Sequence, residues 1–323
     1  MQNLCTICGG PVESKMVSVR SSKEMQLHNC INCNFEFFKH DISSKLAKDK
    51  LDESRLKSAG LDIPSIEIDF YNGTEQSKVL SEMYLLDNDK GENTLEVGCS
   101  VGYFLKLMKD FGCNPYGVEI SESRCEYVNK TLDIPCFTNL GPIQEKGIKF
   151  RKIFLFYILE YISDPVAYLA QLLDLLEDGG SLICVTPNIE DPLKSIWGNK
   201  GFIDFFYDEY ALNYMSIRTF EVILSRLKYK QSKIKTRQGY SFASHLSWFF
   251  TQSPRTTGIV GGDKFVSDMT EKLNESATNK NISHNQRSAA KRISILFKEL
   301  DNNYRESLEN EGCGNQIHVT ITR

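Results

Sequence analysis

From about residue 71 onward, short apolar runs alternate with segments whose apolar residues recur at helical spacing. "NTLEVG", "NPYGVEI", "KIFLFYI" and "GSLICVT" read as four buried strands. In "VGYFLKLMKDF", Val101, Phe104, Leu105, Met108 and Phe111 fall on one helical face. In "SDPVAYLAQLLDLLEDGG", Asp164 is a candidate N-cap, Pro165 takes the first helical position and Gly179 stands just past the end. Alternation of this kind predicts a parallel sheet with helices on both faces. Two later segments, "QSKIKTR" and "QIHVTITR", also read as strands. Between them an insertion over about 239–312 breaks the alternation, with an aromatic segment, "GYSFASHLSWFFTQSP", and a long polar helix candidate, "NQRSAAKRISILFKELDNNYRESLEN". Residues 41–70 are charged and weakly patterned, and Pro64 argues against one continuous helix, so they read as a connector.

Composition narrows the class. The chain has 323 residues, room for one large domain or two smaller ones, and its 41% hydrophobic and 25% charged residues are ordinary for a globular protein. A formal net charge of −4 gives no push toward nucleic acid or an anionic membrane. No apolar run approaches the length needed to span a bilayer. The opening "MQNLCTICGG" lacks the pattern of a secretory signal. Ten cysteines without an export signal point to a reducing, cytoplasmic setting, where Cys is a buried small residue or a metal ligand.

Four of those cysteines form two CxxC pairs, Cys5/Cys8 and Cys30/Cys33, within residues 1–40. Each pair can turn two thiolates onto one ion, and Gly9 and Gly10 supply the backbone freedom a knuckle needs. Four thiolates in tetrahedral array select zinc and leave no open coordination position, so the expected role is structural. His28, close by, is expected at the surface or behind the ligands, since the cysteines complete the set.

The second chemical signal is "LEVGCSVGYF", a strand running into a glycine turn and then a helix. Such a turn lets a ligand approach the backbone and presents a helix N-terminus to it. Glu119 ends the next strand about twenty positions on, where an acid can accept hydrogen bonds from both hydroxyls of a ribose. Nicotinamide enzymes share this logic, but three details favour another cofactor. Ser100 breaks the G-x-G-x-x-G spacing. Glu96 would repel a pyrophosphate and attract a cation. The last two strand candidates look like an antiparallel pair closing the sheet.

Here the chain resembles class I S-adenosylmethionine-dependent methyltransferases. The matching segments are "LEVGCSVGYF", "YGVEIS", "ILEYISDPVAYLAQLLDLLEDGGSLICVTPN" and "LNYMSIRTFEVILSRLKYK", in the family's order. The resemblance implies an α/β fold, a seven-stranded Rossmann-like sheet over 71–323 whose final strand is antiparallel. It implies a cofactor site lined by Glu96, Gly98, Cys99, Gly102, Tyr103, Glu119, Ile120, Asn139 and Tyr157, with Glu119 on the ribose, Asn139 near the adenine and Tyr157 near the methionine end. Tyr161 replaces the histidine frequent in the family's "LEH", so a base role for that histidine does not carry over.

Methyltransferases with an N-terminal CxxC…CxxC module are common in bacterial sugar, polysaccharide and natural-product pathways, and "RQGYSFASHLSWFFTQSP" is similar to a segment of some of these. The expected acceptor is therefore a small molecule, a sugar, nucleotide sugar or natural-product intermediate. A hydroxyl acceptor needs a base, for which His245, Glu160 and Tyr240 are the candidates. The insertion is expected to cover the acceptor, and the long helix to pack outside or join a second copy. An RNA methyltransferase and a non-catalytic scaffold are the competing readings; the acidic charge weighs against the first and the intact acids and loop against the second.

Overall fold

A computed structural model describes residues 4–39, 77–229, 231–252, 271–279, 281 and 283–323; the expected connector, 41–70, lies outside the described residues. Seven strands form the main sheet: β4 (Asn93–Val97), β5 (Asn114–Val118), β6 (Cys136–Phe137), β7 (Phe150–Phe156), β8 (Leu176–Pro187), β10 (Ser232–Arg237) and β11 (Gln316–Thr322). Their order is β10-β11-β8-β7-β4-β5-β6. The β8-to-β6 strands are mutually parallel, whereas β11 lies antiparallel between β8 and β10. This is the expected α/β sheet with an antiparallel closing strand.

Successive side chains of one strand face opposite sides of a sheet, and the two cores follow that rule. In β7, Ile153 and Leu155 pack with α3 (Pro165–Asp174) through Leu169, Leu172 and Leu173, and with α4 (Ile217–Leu227) through Phe220, Ile223 and Leu224. Phe154, between them, faces the other side and meets Phe104, Leu105 and Met108 of α1 (Tyr103–Phe111) and Val128 of α2 (Glu122–Thr131). Helix α3 starts as expected, with Asp164 accepting the Ala167 N–H, but stops at Asp174 rather than near Gly179. Gly179 (φ 75°) instead turns the opening of β8, where the ladder with β7 shifts register.

Residues 4–39 supply three strands of a second, four-stranded sheet. Strands β1 (Val12–Ser18), β2 (Glu24–Cys30) and β3 (Glu36–Phe38) form an antiparallel ladder that is completed by β9 (Asn213–Tyr214), from far along the chain. Cys5, Ile7, Cys30, Cys33 and Phe35 join the same core as α3 and α4. Glu36, only 3% exposed, accepts hydrogen bonds from Tyr207 Oη (2.7 Å) and Lys194 Nζ (3.1 Å), so the module is joined by a buried ionic contact as well.

The insertion contains α5 (Phe242–Thr251) and the 27-residue α6 (His284–Asn310), which opens on a capping box between Ser283 and Gln286. Phe242 N–H donates to Asp301 and the Phe242 ring meets Tyr304, fixing one helix on the other. Along α6, Ile293, Leu296, Phe297 and Leu300 stay exposed. Among the described residues no helix is long and apolar enough to cross a membrane.

A buried ion pair anchors the N-terminal end of β7. Lys152 Nζ bonds Asp89 and the Tyr84 carbonyl, and Asp89 is 0% exposed. Removing one partner strands a desolvated charge. Lys152→Met should cost about 3–5 kcal/mol in urea unfolding, and adding Asp89→Asn should recover part of that loss.

Candidate active site

The carboxyl ends of the parallel strands meet along one edge, and the predicted residues gather there. After β4 the chain passes through three left-handed positions, Gly98 (φ 75°), Ser100 (φ 50°) and Gly102 (φ 82°), before α1 begins. A Cβ at Gly98 would lie 2.0 Å from Ile158 Cδ1, so only glycine lets this loop close against the turn after β7. The Val118 carbonyl accepts N–H bonds from Gly98 (2.7 Å) and Cys99 (3.2 Å). Glu119, at the end of β5, accepts the Ser100 N–H on Oε2 (2.8 Å) and the Ser121 N–H on Oε1 (2.9 Å). One carboxylate thus ties the glycine loop to the start of α2.

Glu96 is 4% exposed, and its Oε2 has no hydrogen-bond partner among the described residues. Burial first, and the Glu119 charge second, hold its carboxyl well above the usual range. A buried acid of this kind fits a cationic ligand, which would favour its ionised form. Ile120, beside Glu119, leaves an apolar side chain 55% exposed. Asn139 is exposed after β6 and accepts the Gly141 N–H (2.9 Å). Tyr157 ends β7 in the left-handed region (φ 57°) and is half-buried, as is Tyr103 at the start of α1. Cys99 is placed differently. Its thiol is turned inward, 3.7 Å from Cys136 Sγ, and the absence of a side chain at Gly117 makes room for it. Only its backbone is left to line the loop.

The three candidate bases separate. Glu160 lies in the short 3-10 turn Leu159–Tyr161 that follows Tyr157 and is buried. Tyr240 is half-buried. His245 is 0% exposed, with both ring nitrogens engaged. Gln238 Oε1 accepts the Asn315 N–H, which turns the Gln238 amide so that its nitrogen donates to His245 Nε2 (3.1 Å). Nδ1–H is then left to donate to Tyr304 Oη (2.5 Å). The aromatic segment folds as a helix that turns Ser244, His245 and Trp248 inward and leaves Phe249 and Phe250 exposed. The sequence pattern did not separate these two faces.

Two buried residues at the same edge were missed. Asn188 follows β8 and donates to the Gly312 and Gly314 carbonyls (3.0 and 2.8 Å), stapling the insertion's return to the sheet. Asp191 accepts the Leu193 N–H (2.8 Å) and is pushed up to about 7 by burial. Its one sequence signal is the following Pro192, which marks Asp191 as a helix cap.

The cysteine site is compact. All four sulfurs lie within 4.8 Å of one another, with Cys5–Cys33 at 3.7 Å and Cys8–Cys30 at 3.3 Å. Tetrahedral zinc–thiolate bonds of about 2.3 Å place sulfurs about 3.8 Å apart, so the set fits that ion. The hydrogen bond from Cys33 lowers Cys5 to about 5, giving it thiolate character, and raises Cys33. The residues that follow the two pairs, Gly9 (φ 72°) and Asn34 (φ 53°), are both left-handed, so the two knuckles match. His28 is buried rather than at the surface, bonded through Nδ1 to Ser14 Oγ (2.7 Å) and tilted against Phe37.

Comparison with known proteins bears on the segment that carries this geometry. Residues 75–230 match a family model described as a methyltransferase domain. That stretch, just under half of the chain, is similar to a methyltransferase domain. Ubiquinone biosynthesis O-methyltransferases of Dinoroseobacter shibae and Ruegeria pomeroyi are each 29% identical to it, over 105 and 104 residues, or 31% and 30% of this chain. The match spans 42% of the length of either relative. Among solved structures, a SAM-dependent methyltransferase from Archaeoglobus fulgidus aligns at 14% identity and a TM-score of 0.46, over 77% of this chain and 94% of that one. The plantazolicin methyltransferase BamL, solved with a triazolic desmethylPZN analog and SAH, aligns at 16% identity and a TM-score of 0.43, over 87% and 92%. The matched segment ends at residue 230, before β10, so α5 and α6 lie outside it.

Burial lowers His245 to about 4 and His318, in β11, to about 3, from an ordinary 6.5. The unfolded chain therefore takes up protons first as pH falls. Their stability contribution is full above about 6.5 and is lost as pH drops from there toward the folded values. Glu96 and Asp191, both raised, act with the opposite sign, so a single-residue comparison is the clean test. In urea unfolding, His245→Gln should reduce the loss of stability between pH 7 and pH 4.5 by about 2–3 kcal/mol relative to the parent chain.

Proposed function

We propose that this protein transfers a methyl group from S-adenosylmethionine to a small-molecule acceptor, with one structural zinc ion in the four-cysteine module. The observation that carries this reading is the Glu119 carboxylate bonded to Ser100 N–H beside the nearly buried acid Glu96. Bound there, the cofactor supplies an activated methyl on a sulfonium, ready for in-line displacement. Beside the two backbone N–H groups it accepts, the Glu119 carboxylate has the acceptor chemistry to take the ribose hydroxyls. Ile120 offers an apolar face for the adenine. Glu96 favours the positive charge at the methionine end, and Tyr157 closes the site from the β7 side.

For a hydroxyl acceptor, Glu160 is the proposed proton acceptor among the three candidates, because it follows Tyr157 at the edge whereas His245 is sealed between Gln238 and Tyr304. His245 keeps the insertion docked. The names of the matched relatives concern ubiquinone and natural-product chemistry, so a small organic acceptor is better supported than a carbohydrate in particular.

Calorimetric titration with S-adenosylhomocysteine and S-adenosylmethionine tests the cofactor assignment. Glu119→Ala should weaken binding by about 1.5–3 kcal/mol for each charged hydrogen bond lost. Unchanged affinity would remove Glu119 from the site. S-adenosylmethionine affinity should rise with pH from the ordinary carboxylate value of 4.5 up through the raised Glu96 value, because the cation favours ionised Glu96. Glu96→Gln should flatten that profile; an equal slope in both proteins would detach Glu96 from the ligand.

Purified reduced protein should carry about one zinc per chain by elemental analysis. Cys5→Ser or Cys33→Ser should lower that content; protein without metal would refute the site.

A further inference from the structure

The cysteine module reaches the candidate active site through a series of backbone and side-chain hydrogen bonds. The Cys33 carbonyl accepts the Thr219 hydroxyl at 3.0 Å, at the start of α4. Strand β3 pairs with β9, setting Phe37 opposite Asn213. One residue earlier, the Leu212 carbonyl accepts the Phe38 N–H (3.0 Å), while the Leu212 N–H donates to the Glu160 carbonyl (2.7 Å). Asn213, 4% exposed, sends its side-chain amide the same way, donating to the Leu159 carbonyl (3.0 Å) and the Ile162 carbonyl (2.6 Å). Residues 212–213 thus hold module backbone on one side and the turn after β7 on the other. That turn begins with left-handed Tyr157, contains Glu160, and presents Ile158 to the space that Gly98 leaves open.

We infer that the metal module is a positioning strut for the turn 157–162, acting through Leu212 and Asn213, so that metal occupancy and cofactor affinity are thermodynamically coupled. A short 3-10 turn makes few bonds of its own. Tyr161 N–H bonds Ile158 O and Ile162 N–H bonds Leu159 O, and the remaining carbonyls depend on outside donors. Of these, Ile162 O takes a donor from Asn213 and Glu160 O one from Leu212, while Asn213 also gives Leu159 O a second bond. Their placement depends on β9 staying paired with β3. Four thiolates closed on one ion fix the knuckle ending at Cys33, three residues before β3 begins. Loss of the ion frees β3, then β9, then the turn. Asn213 is a positioning residue here and need not touch any ligand.

The coupling part of this inference rests on the cofactor reading above, whereas the structural part does not, and the test separates them. Hydrogen–deuterium exchange is measured on the full chain, zinc-loaded, stripped with a chelator, and zinc-loaded with Asn213→Ala. Stripping and Asn213→Ala should each speed exchange of the Tyr161, Ile162 and Leu212 amides about tenfold or more, with α1 unchanged. Asn213→Ala should keep its zinc, which decides the matter if stripped protein loosens throughout. S-adenosylhomocysteine should bind about five- to tenfold more weakly to either form, and by reciprocity should tighten zinc affinity, measured by equilibrium competition with the chelator, by the same factor. Unchanged exchange in zinc-loaded Asn213→Ala would overturn the strut. Equal S-adenosylhomocysteine affinity with and without zinc would overturn the coupling. Absence of any S-adenosylhomocysteine binding would sink the cofactor reading, and the exchange arm alone would then decide the strut.

Discussion

The candidate site depends on one carboxylate holding two backbone amides. Glu119 receives the Ser100 and Ser121 N–H groups, and so joins the loop after β4 to the turn after β5. Three left-handed residues within five positions make that loop poor in local bonding, and it keeps its shape because an acid at the next strand end completes it. The charge that fixes the loop also raises the proton affinity of Glu96 behind it. Two acids that act on each other in this way are costly without a counter-charge and favourable around a cation, which is what the proposed sulfonium ligand would supply.

Features whose cause is local were legible in the sequence. The strands of the parallel sheet are short apolar runs, buried on both faces, and needed no tertiary information to read. The glycine loop was legible for the same reason, since Gly98 and Gly102 take backbone angles that other residues resist. The cysteine spacing reported the knuckles directly, because each pair closes within four residues.

What escaped was non-local. A two-residue strand at Asn213–Tyr214 has no periodicity, and only pairing with β3 defines it. The sequence pattern therefore gave no sign that Cys5, Ile7, Cys30, Cys33 and Phe35 share a core with the sheet and its helices. His245 illustrates a second limit. A histidine among aromatics suits a pocket or a core equally well, and the choice was made by Gln238, Tyr304 and Asn315, which converge on it only in three dimensions. Asp191 was hidden because its burial, not its neighbours in sequence, sets its proton affinity.

The place of β11 carries a kinetic consequence. It lies between β8 and β10, and it meets β8 across a sequence gap on the order of 130 residues, among the longest-range pairings in the molecule. Until that pairing forms, the apolar strand β8 keeps an open hydrogen-bonding edge, of the kind that templates association with other chains. The insertion between β10 and β11 lengthens the wait, although each doubling of a loop adds only about 0.6 kcal/mol of closure entropy. By docking α5 and α6 against each other and on the sheet edge, the insertion shortens the effective distance that β11 must search.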